Sequence, residues 1–171
     1  MPQVYVCPLS RIAETVAQSN ASHLVSLIND NTAVIRPETI PEENHLFLGI
    51  NDIVEPLDGM VLPAGEHVEQ LIGFITGWEP VRPIVVHCYA GISRSTAAAF
   101  ITLCALKPER DEADIALRMR AASRFAYPNP RIVAIGDEIL GRNGRMIAAV
   151  KAIGRGELTA ENIPFAIGLE G

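Results

Sequence analysis

Short apolar runs alternate with amphipathic segments along most of the chain. The runs have the length of buried strands and lie at residues 4–6, 24–28, 33–35, 45–50 and 84–86. Helical spacing is clearest in Val68, Leu71, Ile72 and Ile75, which repeat at i, i+3, i+4 and i+7 after a helix start at residues 63–64. Further helices are predicted at residues 11–18, 95–106, 111–122, 130–139 and 146–153. The alternation predicts an α/β protein with a sheet flanked by helices.

Capping and breaking residues set the predicted boundaries of these elements. Ser10 is a candidate N-cap of the first helix, Asp111 starts a helix after Pro108, and Pro130 suits a first helical turn. Residues 51–63 are predicted to form a loop. We expect one domain over residues 1–171, with a tail of uncertain structure at residues 154–171, where the sequence shows no clear period.

The stretch that follows the apolar run at residues 84–86 carries the candidate chemistry. Cys88 opens a loop that Arg94 closes, and an alanine-rich helix follows. A helix N-terminus presents unpaired N–H groups and a dipole that favours an anion, and the same field favours a thiolate over a thiol. Arg94 adds a planar fork for two phosphate oxygens, and Gly91 permits tight curvature. We therefore expect a phosphate-binding loop with Cys88 as nucleophile and the Ser95 hydroxyl near its sulfur.

The residues His87-Cys88-Tyr89-Ala90-Gly91-Ile92-Ser93-Arg94-Ser95 resemble the signature loop of the cysteine-dependent protein tyrosine phosphatases, most closely their dual-specificity branch. The resemblance implies a mostly parallel central sheet with this loop at the C-terminal end of a strand. It also implies that the Cys88 thiolate forms a phosphocysteine, that Ser95 stabilises the thiolate as it departs, and that no metal or organic cofactor is needed. The residues that would bind the phosphate are Tyr89, Ala90, Gly91, Ile92, Ser93 and Arg94.

A general acid is needed to protonate the leaving group, and in the resembling family it is an aspartate on a loop upstream of the cysteine strand. Asp52 and Asp58 both lie on such a loop. We favour Asp52, because it directly follows the extended apolar segment at residues 45–50. Asp58 precedes Gly59 and is typical of a turn.

Four further polar or sulfur-bearing residues have weaker expectations. His87 is predicted to be structural and to bond the loop backbone rather than to act as a base. Asn129 resembles an asparagine that supports the site from behind in many dual-specificity domains, and the alternative is a plain turn. Cys104 is interpreted as a core residue rather than a redox partner of Cys88, and the role of Cys7 is left open.

Composition narrows the class of protein. The net charge of −6 makes broad nucleic-acid binding unexpected, and no apolar run approaches the ~20 residues of a membrane helix. The three cysteines are too few and too scattered for a disulfide framework, and no cluster has zinc-ligand spacing. We see no secretory signal, so a cytoplasmic location and the absence of a bound metal are the expectations.

Substrate class is the least determined property. The loop interior carries no lysine, which disfavours the polyanionic head group of a phosphoinositide. A phosphotyrosine protein or a small aryl phosphate is the first expectation. The alternatives are a phosphoinositide phosphatase, an RNA 5′-phosphatase, and a module that binds phosphorylated ligands without hydrolysing them.

Overall fold

The computed structural model describes residues 2–170, in which one five-stranded sheet is covered by helices. The strands are β1 (Gln3–Pro8), β2 (His23–Ile28), β3 (His45–Gly49), β4 (Ile84–Cys88) and β5 (Phe165–Gly168). The helices are α1 (Ile12–Ser19), α2 (Gly65–Thr76), α3 (Arg94–Leu106), α4 (Glu112–Ala122), α5 (Pro130–Ile139) and α6 (Arg145–Ile153). Two short 3-10 turns lie at Leu9–Arg11 and Glu42–Asn44.

The sheet has the order β3-β2-β4-β1-β5, and only β5 runs antiparallel to its neighbour. Parallel strands need crossover connections. Helix α1 connects β1 to β2 and α2 connects β3 to β4, whereas the parallel neighbours β2 and β3 are joined by the segment at residues 29–44, which contains only a 3-10 turn. This confirms the predicted α/β fold with a mostly parallel sheet. Strand β4 lies in the middle of the sheet and ends at Cys88, so the candidate nucleophile lies at the C-terminal edge.

Alternation along β4 directs its side chains to two separate cores. Ile84 and Val86 join the larger core under α2 to α6, whereas Val85 joins a smaller core against α1. Because successive side chains of a strand point to opposite faces, His87 lies on the α1 face and Cys88 on the other. The two neighbouring residues are therefore placed for different tasks.

Helix α3 packs against β4 and β1 and is buried along almost its whole length. Ala97, Ala98 and Ala99 are all fully buried. Small side chains allow this close approach to the sheet, as the alanine-rich sequence predicts. The first residues of the helix, Arg94 and Ser95, thereby lie beside the end of β4.

The prediction of a strand at residues 33–35 is wrong. These residues have no regular structure, Ile35 is 89% exposed, and Val34 packs against the smaller core. A strand needs a neighbour for its backbone groups. Strand β2 is already paired on both sides, by β3 and β4, and residues 33–35 do not pair with the open outer edge of β3.

The capping predictions have mixed outcomes. Ser10 does not cap α1, which begins at Ile12, and its hydroxyl instead bonds the Glu161 carboxylate at 3.1 Å. Asp111 does cap α4, since its carboxylate accepts from the backbone N–H groups of the first turn. Asn129 caps α5, and Pro130 occupies the first helical turn as predicted.

The tail, whose structure was uncertain from sequence, contains β5. Phe165 and Ile167 are buried where β5 pairs with β1. A strand of four residues shows too few alternations to be recognised in a sequence. In the described part of the chain no helix is both long enough and apolar enough to cross a membrane.

Candidate active site

The Cys88 sulfur lies at the centre of the residues that the sequence predicted to act together. Cys88 is only 2% exposed at the end of β4. Its Sγ lies 3.1 Å from the Ser95 hydroxyl and accepts the backbone N–H of Gly91 at 3.3 Å. The amide donates to the sulfur, and the hydroxyl lies close enough to donate to it when the sulfur is a thiolate.

The Cys88–Arg94 loop is held from its outer side. Each carbonyl oxygen from residue 89 to residue 93 accepts a hydrogen bond from a group outside the loop. The five bonds are Leu9 N to Tyr89 O (3.0 Å), Asn162 N to Ala90 O (2.9 Å), Asn162 Nδ2 to Gly91 O (2.9 Å), Tyr127 N to Ile92 O (3.0 Å) and Asn129 N to Ser93 O (3.1 Å).

These outward bonds determine where the loop amides point. In a planar trans peptide the N–H points opposite to the preceding C=O. The N–H groups of residues 90–94 are therefore turned to the inside of the loop, and the bond from Gly91 N to the Cys88 sulfur agrees with this. Such a ring of amides at a helix start is an anion-binding concavity.

Gly91 meets two requirements at one position. Its φ of +71° lies in the left-handed region. A Cβ there would also lie 2.8 Å from the Cys7 carbonyl carbon and from the Pro8 nitrogen. A side chain there would clash with backbone atoms that cannot move without disturbing β1. The loop therefore needs glycine both for its turn and for its contact with β1.

Arg94 is fixed from one side and leaves a donor free. Its Nη1 donates to Asn29 Oδ1 and to the Ile50 carbonyl, both at 2.9 Å. The Nε of this 7% exposed residue has no partner in residues 2–170. A buried unpaired guanidinium N–H is costly, which fits a site made for an anion. Asn29 was not predicted, although its position directly after β2, beside β4, indicates the same sheet edge.

His87 connects the loop to a chain of hydrogen-bonded side chains on the α1 face of the sheet. Its Nδ1 lies 3.0 Å from the Cys88 carbonyl, which can only accept, so Nδ1 donates. Its Nε2 lies 2.6 Å from the Ser26 hydroxyl, which in turn lies 2.8 Å from His45 Nε2. The consistent arrangement has His45 donating to Ser26 and Ser26 donating to His87. This geometry suits the structural role predicted for His87.

Burial determines the charge of His87. Burial lowers the pKa of His87 to about 4, against the opposing effect of its bond to the Cys88 carbonyl. The ring is therefore neutral near pH 7, as its acceptor role toward Ser26 requires.

Asp52 lines the same cleft as Cys88 and is held by two donors. Its Oδ1 accepts from Ser93 Oγ at 2.7 Å and from Asn129 Nδ2 at 2.9 Å. The Asn129 Oδ1 accepts at the same time from the first N–H groups of α5. Because both bonds to the carboxylate end on Oδ1, Oδ2 is the oxygen that can carry a transferable proton.

Asp58 is placed elsewhere. It is exposed in a turn closed by a 3.1 Å bond from Met60 N to the Leu57 carbonyl, with Gly59 at a φ of +76°. It does not line the cleft that contains Cys88. Of the two candidate aspartates, only Asp52 therefore lines the cleft that contains Cys88.

The cleft above Cys88 has a volume of about 870 Å³. The sequence predicted its floor, but several wall residues were missed, namely Ile53, Val54, Glu55, Leu57, Tyr127 and Arg155. Tyr127 and Arg155 come from segments without a clear period, and their approach depends on tertiary packing. The Arg155 guanidinium lies 5.7 Å from the centre of the Tyr127 ring.

The other two cysteines are buried away from the loop interior. Cys104 is fully buried in the larger core, as predicted, and Cys7 lies in the smaller one. Burial raises the pKa of both thiols to about 12. Both therefore remain protonated near neutral pH.

Comparisons with known proteins show the fold. No protein-family model matches the sequence, and no curated protein matches it significantly. The chain is similar to the crystal structure of DUSP15, with 18% identity and a TM-score of 0.61 over 90% of this chain and 91% of that one. It is also similar to human tyrosine phosphatase-like serine/threonine/tyrosine-interacting protein (17%, TM-score 0.64, 84% and 94% covered) and to PTPMT1 in complex with PI(5)P (13%, TM-score 0.59, 85% and 92% covered). The chain has the fold of the compact dual-specificity phosphatases, which confirms the predicted resemblance at the level of fold.

The neutral state of His87 predicts a dependence of stability on pH. The pKa of His87 in the folded protein, about 4, lies below the unfolded value of about 6.5, so the unfolded chain takes up the proton first as the pH falls. The stabilisation is complete above about pH 6.5 and is lost as the pH falls toward 4, by on the order of 3 kcal/mol. Chemical denaturation of the wild type and His87→Gln at several pH values should show the steeper decline in the wild type. Equal slopes would contradict the assignment.

Proposed function

We propose that this chain is a phosphomonoester hydrolase that works through a phosphocysteine at Cys88. The observation that carries the proposal is the position of one sulfur. The Cys88 Sγ lies beneath inward-facing amides and 3.1 Å from Ser95 Oγ, with the Asp52 carboxylate on the wall of the same cleft. A nucleophile, an oxyanion cradle and a proton donor in one cleft are what phosphoryl transfer requires.

In the first step the Cys88 thiolate attacks phosphorus. An S–P bond forms as the bond between phosphorus and the leaving oxygen breaks, and Asp52 Oδ2 gives its proton to that oxygen. The inward amides and the Arg94 guanidinium hold the three equatorial oxygens, where the transition-state charge is spread. Asn129 and Ser93 hold Oδ1 and so direct Oδ2 toward the leaving group.

In the second step water attacks the phosphocysteine. Asp52 takes the proton of the water, an O–P bond forms, and the S–P bond breaks to release inorganic phosphate. The sulfur departs as a thiolate, and the Ser95 hydroxyl, 3.1 Å away, donates to it. Enzyme and carboxylic acid return to their starting states, so no other reactant is consumed.

The walls of the cleft support an aryl phosphate as the substrate. Ile53, Val54, Leu57 and Tyr127 surround the path to Cys88 with apolar surface. A flat aromatic ring gains contact with such walls, whereas a sugar or inositol hydroxyl group would lose its water. We therefore propose phosphotyrosine in proteins as the substrate class.

A substrate panel tests this function. Para-nitrophenyl phosphate and phosphotyrosine peptides are expected to be hydrolysed, and Cys88→Ser is expected to lower phosphate release to background while the fold is retained. Phosphoserine peptides, a phosphoinositide and an RNA with a 5′-phosphate complete the panel. Binding of phosphopeptides without any Cys88-dependent release would contradict hydrolysis and favour the binding module. A larger kcat/KM for the lipid or the RNA would contradict the substrate class.

The acid assignment has its own test, in which the pKa of the leaving group is varied. Asp52→Asn is expected to lower kcat by about 10²–10⁴-fold for a poor leaving group, the usual contribution of a general acid, and by less for para-nitrophenyl phosphate. Asp58→Asn and Glu55→Gln are the matched controls, since the first lies outside the cleft and the second lines it. A greater loss in either control would show that Asp52 is not the acid.

A further inference from the structure

A second groove lies beside the cleft and has no part in the proposed chemistry. It lies between α5 and α6 and has a volume of about 280 Å³. We call it the α5–α6 groove. Its floor is apolar, with Val133, Ile147 and Val150 among its lining residues, and Ile147 remains 46% exposed. An exposed aliphatic side chain in a concave apolar surface is typical of a binding site.

The α5–α6 groove adjoins the cleft above Cys88. Tyr127, Pro130 and Arg155 line both cavities. The Tyr127 backbone N–H is one of the five donors that hold the Cys88–Arg94 loop, and the same residue lines the groove. A long ligand whose phosphate lies over Cys88 can therefore reach the groove along the residues that line both cavities.

Two cations border the α5–α6 groove and lack acidic partners. Lys151 and Arg155 both line it and are exposed. Neither has a carboxylate within 4.0 Å in residues 2–170. The whole chain carries a net charge of −6, so unpaired positive charge at this rim is local and complements an acidic ligand.

The size of the α5–α6 groove limits its occupant. A volume of about 280 Å³ is below the usual range for a complete small-molecule ligand, about 300–1,000 Å³. It suits one large side chain rather than a pair of lipid chains. The apolar floor also offers few partners for a nucleotide or a sugar.

Resting on the proposed function, we propose that the α5–α6 groove is a specificity subsite for phosphotyrosine peptides. It accepts one aliphatic or aromatic side chain near the phosphotyrosine, while Lys151 and Arg155 pair with a carboxylate beside that side chain. The natural substrate is thus an acidic segment with an apolar residue close to the phosphotyrosine.

Paired peptides test the subsite. In an acidic phosphotyrosine peptide, leucine is placed in turn at each of several positions on either side of the phosphotyrosine and compared with serine there. At one position or more, leucine should raise kcat/KM by about 10-fold or more, the order expected for burying an aliphatic side chain. Ile147→Asp should bring this leucine-to-serine ratio close to one, because burying leucine against the new carboxylate would remove water from that charge.

Leu117→Asp is the matched control. Leu117 is an aliphatic residue on α4, 61% exposed and outside the α5–α6 groove. It should keep the wild-type ratio. Lys151→Ala should lower kcat/KM for the acidic peptide more than for its asparagine-substituted counterpart.

The outcomes separate this inference from the proposed function. The inference alone would be overturned if para-nitrophenyl phosphate and the peptides were hydrolysed but the leucine-to-serine ratio of kcat/KM were one at every position. An unchanged ratio in Ile147→Asp would do the same. A preference for a phosphoinositide that Ile147→Asp abolishes would overturn the inference together with the proposed substrate class. Absence of Cys88-dependent release from every substrate would overturn the proposed function and the inference together.

Discussion

Five hydrogen bonds on the outside of the Cys88–Arg94 loop fix the direction of its peptide units. Without those bonds the carbonyl oxygens would be free to turn inward, where they would repel both an anion and the Cys88 sulfur. With them, the N–H groups face the centre, and the loop presents positive partial charge before any substrate arrives. Because these dipoles are already oriented, no free energy is spent on reorienting them during the reaction.

The donors of these bonds come from distant parts of the chain. Leu9 follows β1, Tyr127 and Asn129 lie between α4 and α5, and Asn162 precedes β5. The tail supplies two of the five donors, the backbone N–H and the side-chain amide of Asn162. The Asn162 Oδ1 accepts a hydrogen bond from the Ser123 hydroxyl at 2.9 Å. Pairing of β5 with β1 is therefore part of the construction of the site, because it anchors the segment that carries this asparagine.

The arrangement of the Cys88–Arg94 loop was predictable from sequence because it is local. Cys88, Gly91 and Arg94 lie within one turn between a buried strand and a helix, so their spacing alone brings them together. Asp52 was predictable only as one of two carboxylates, and its bonds to residues that are distant in sequence distinguish it from Asp58.

The supporting contacts were not predictable, because they depend on packing between distant segments. Four of the five bonds to the loop carbonyls come from backbone N–H groups, which every residue but proline has, so they leave no signal in the sequence. Asn162 is a single polar residue in an aperiodic tail. The strand expected at residues 33–35 fails for a related reason. Its composition resembles that of a strand, but the segment does not pair with the open outer edge of β3 and stays irregular.

Detection of the covalent intermediate tests the central claim most directly. Asp52→Asn, mixed with para-nitrophenyl phosphate and quenched in acid, should accumulate a phosphoryl group because the second step has lost its base. Mass spectrometry of the digested protein should locate that group on the peptide that contains Cys88 and show its decay after the substrate is exhausted. Continued turnover with no covalent phosphate on Cys88 would contradict the account.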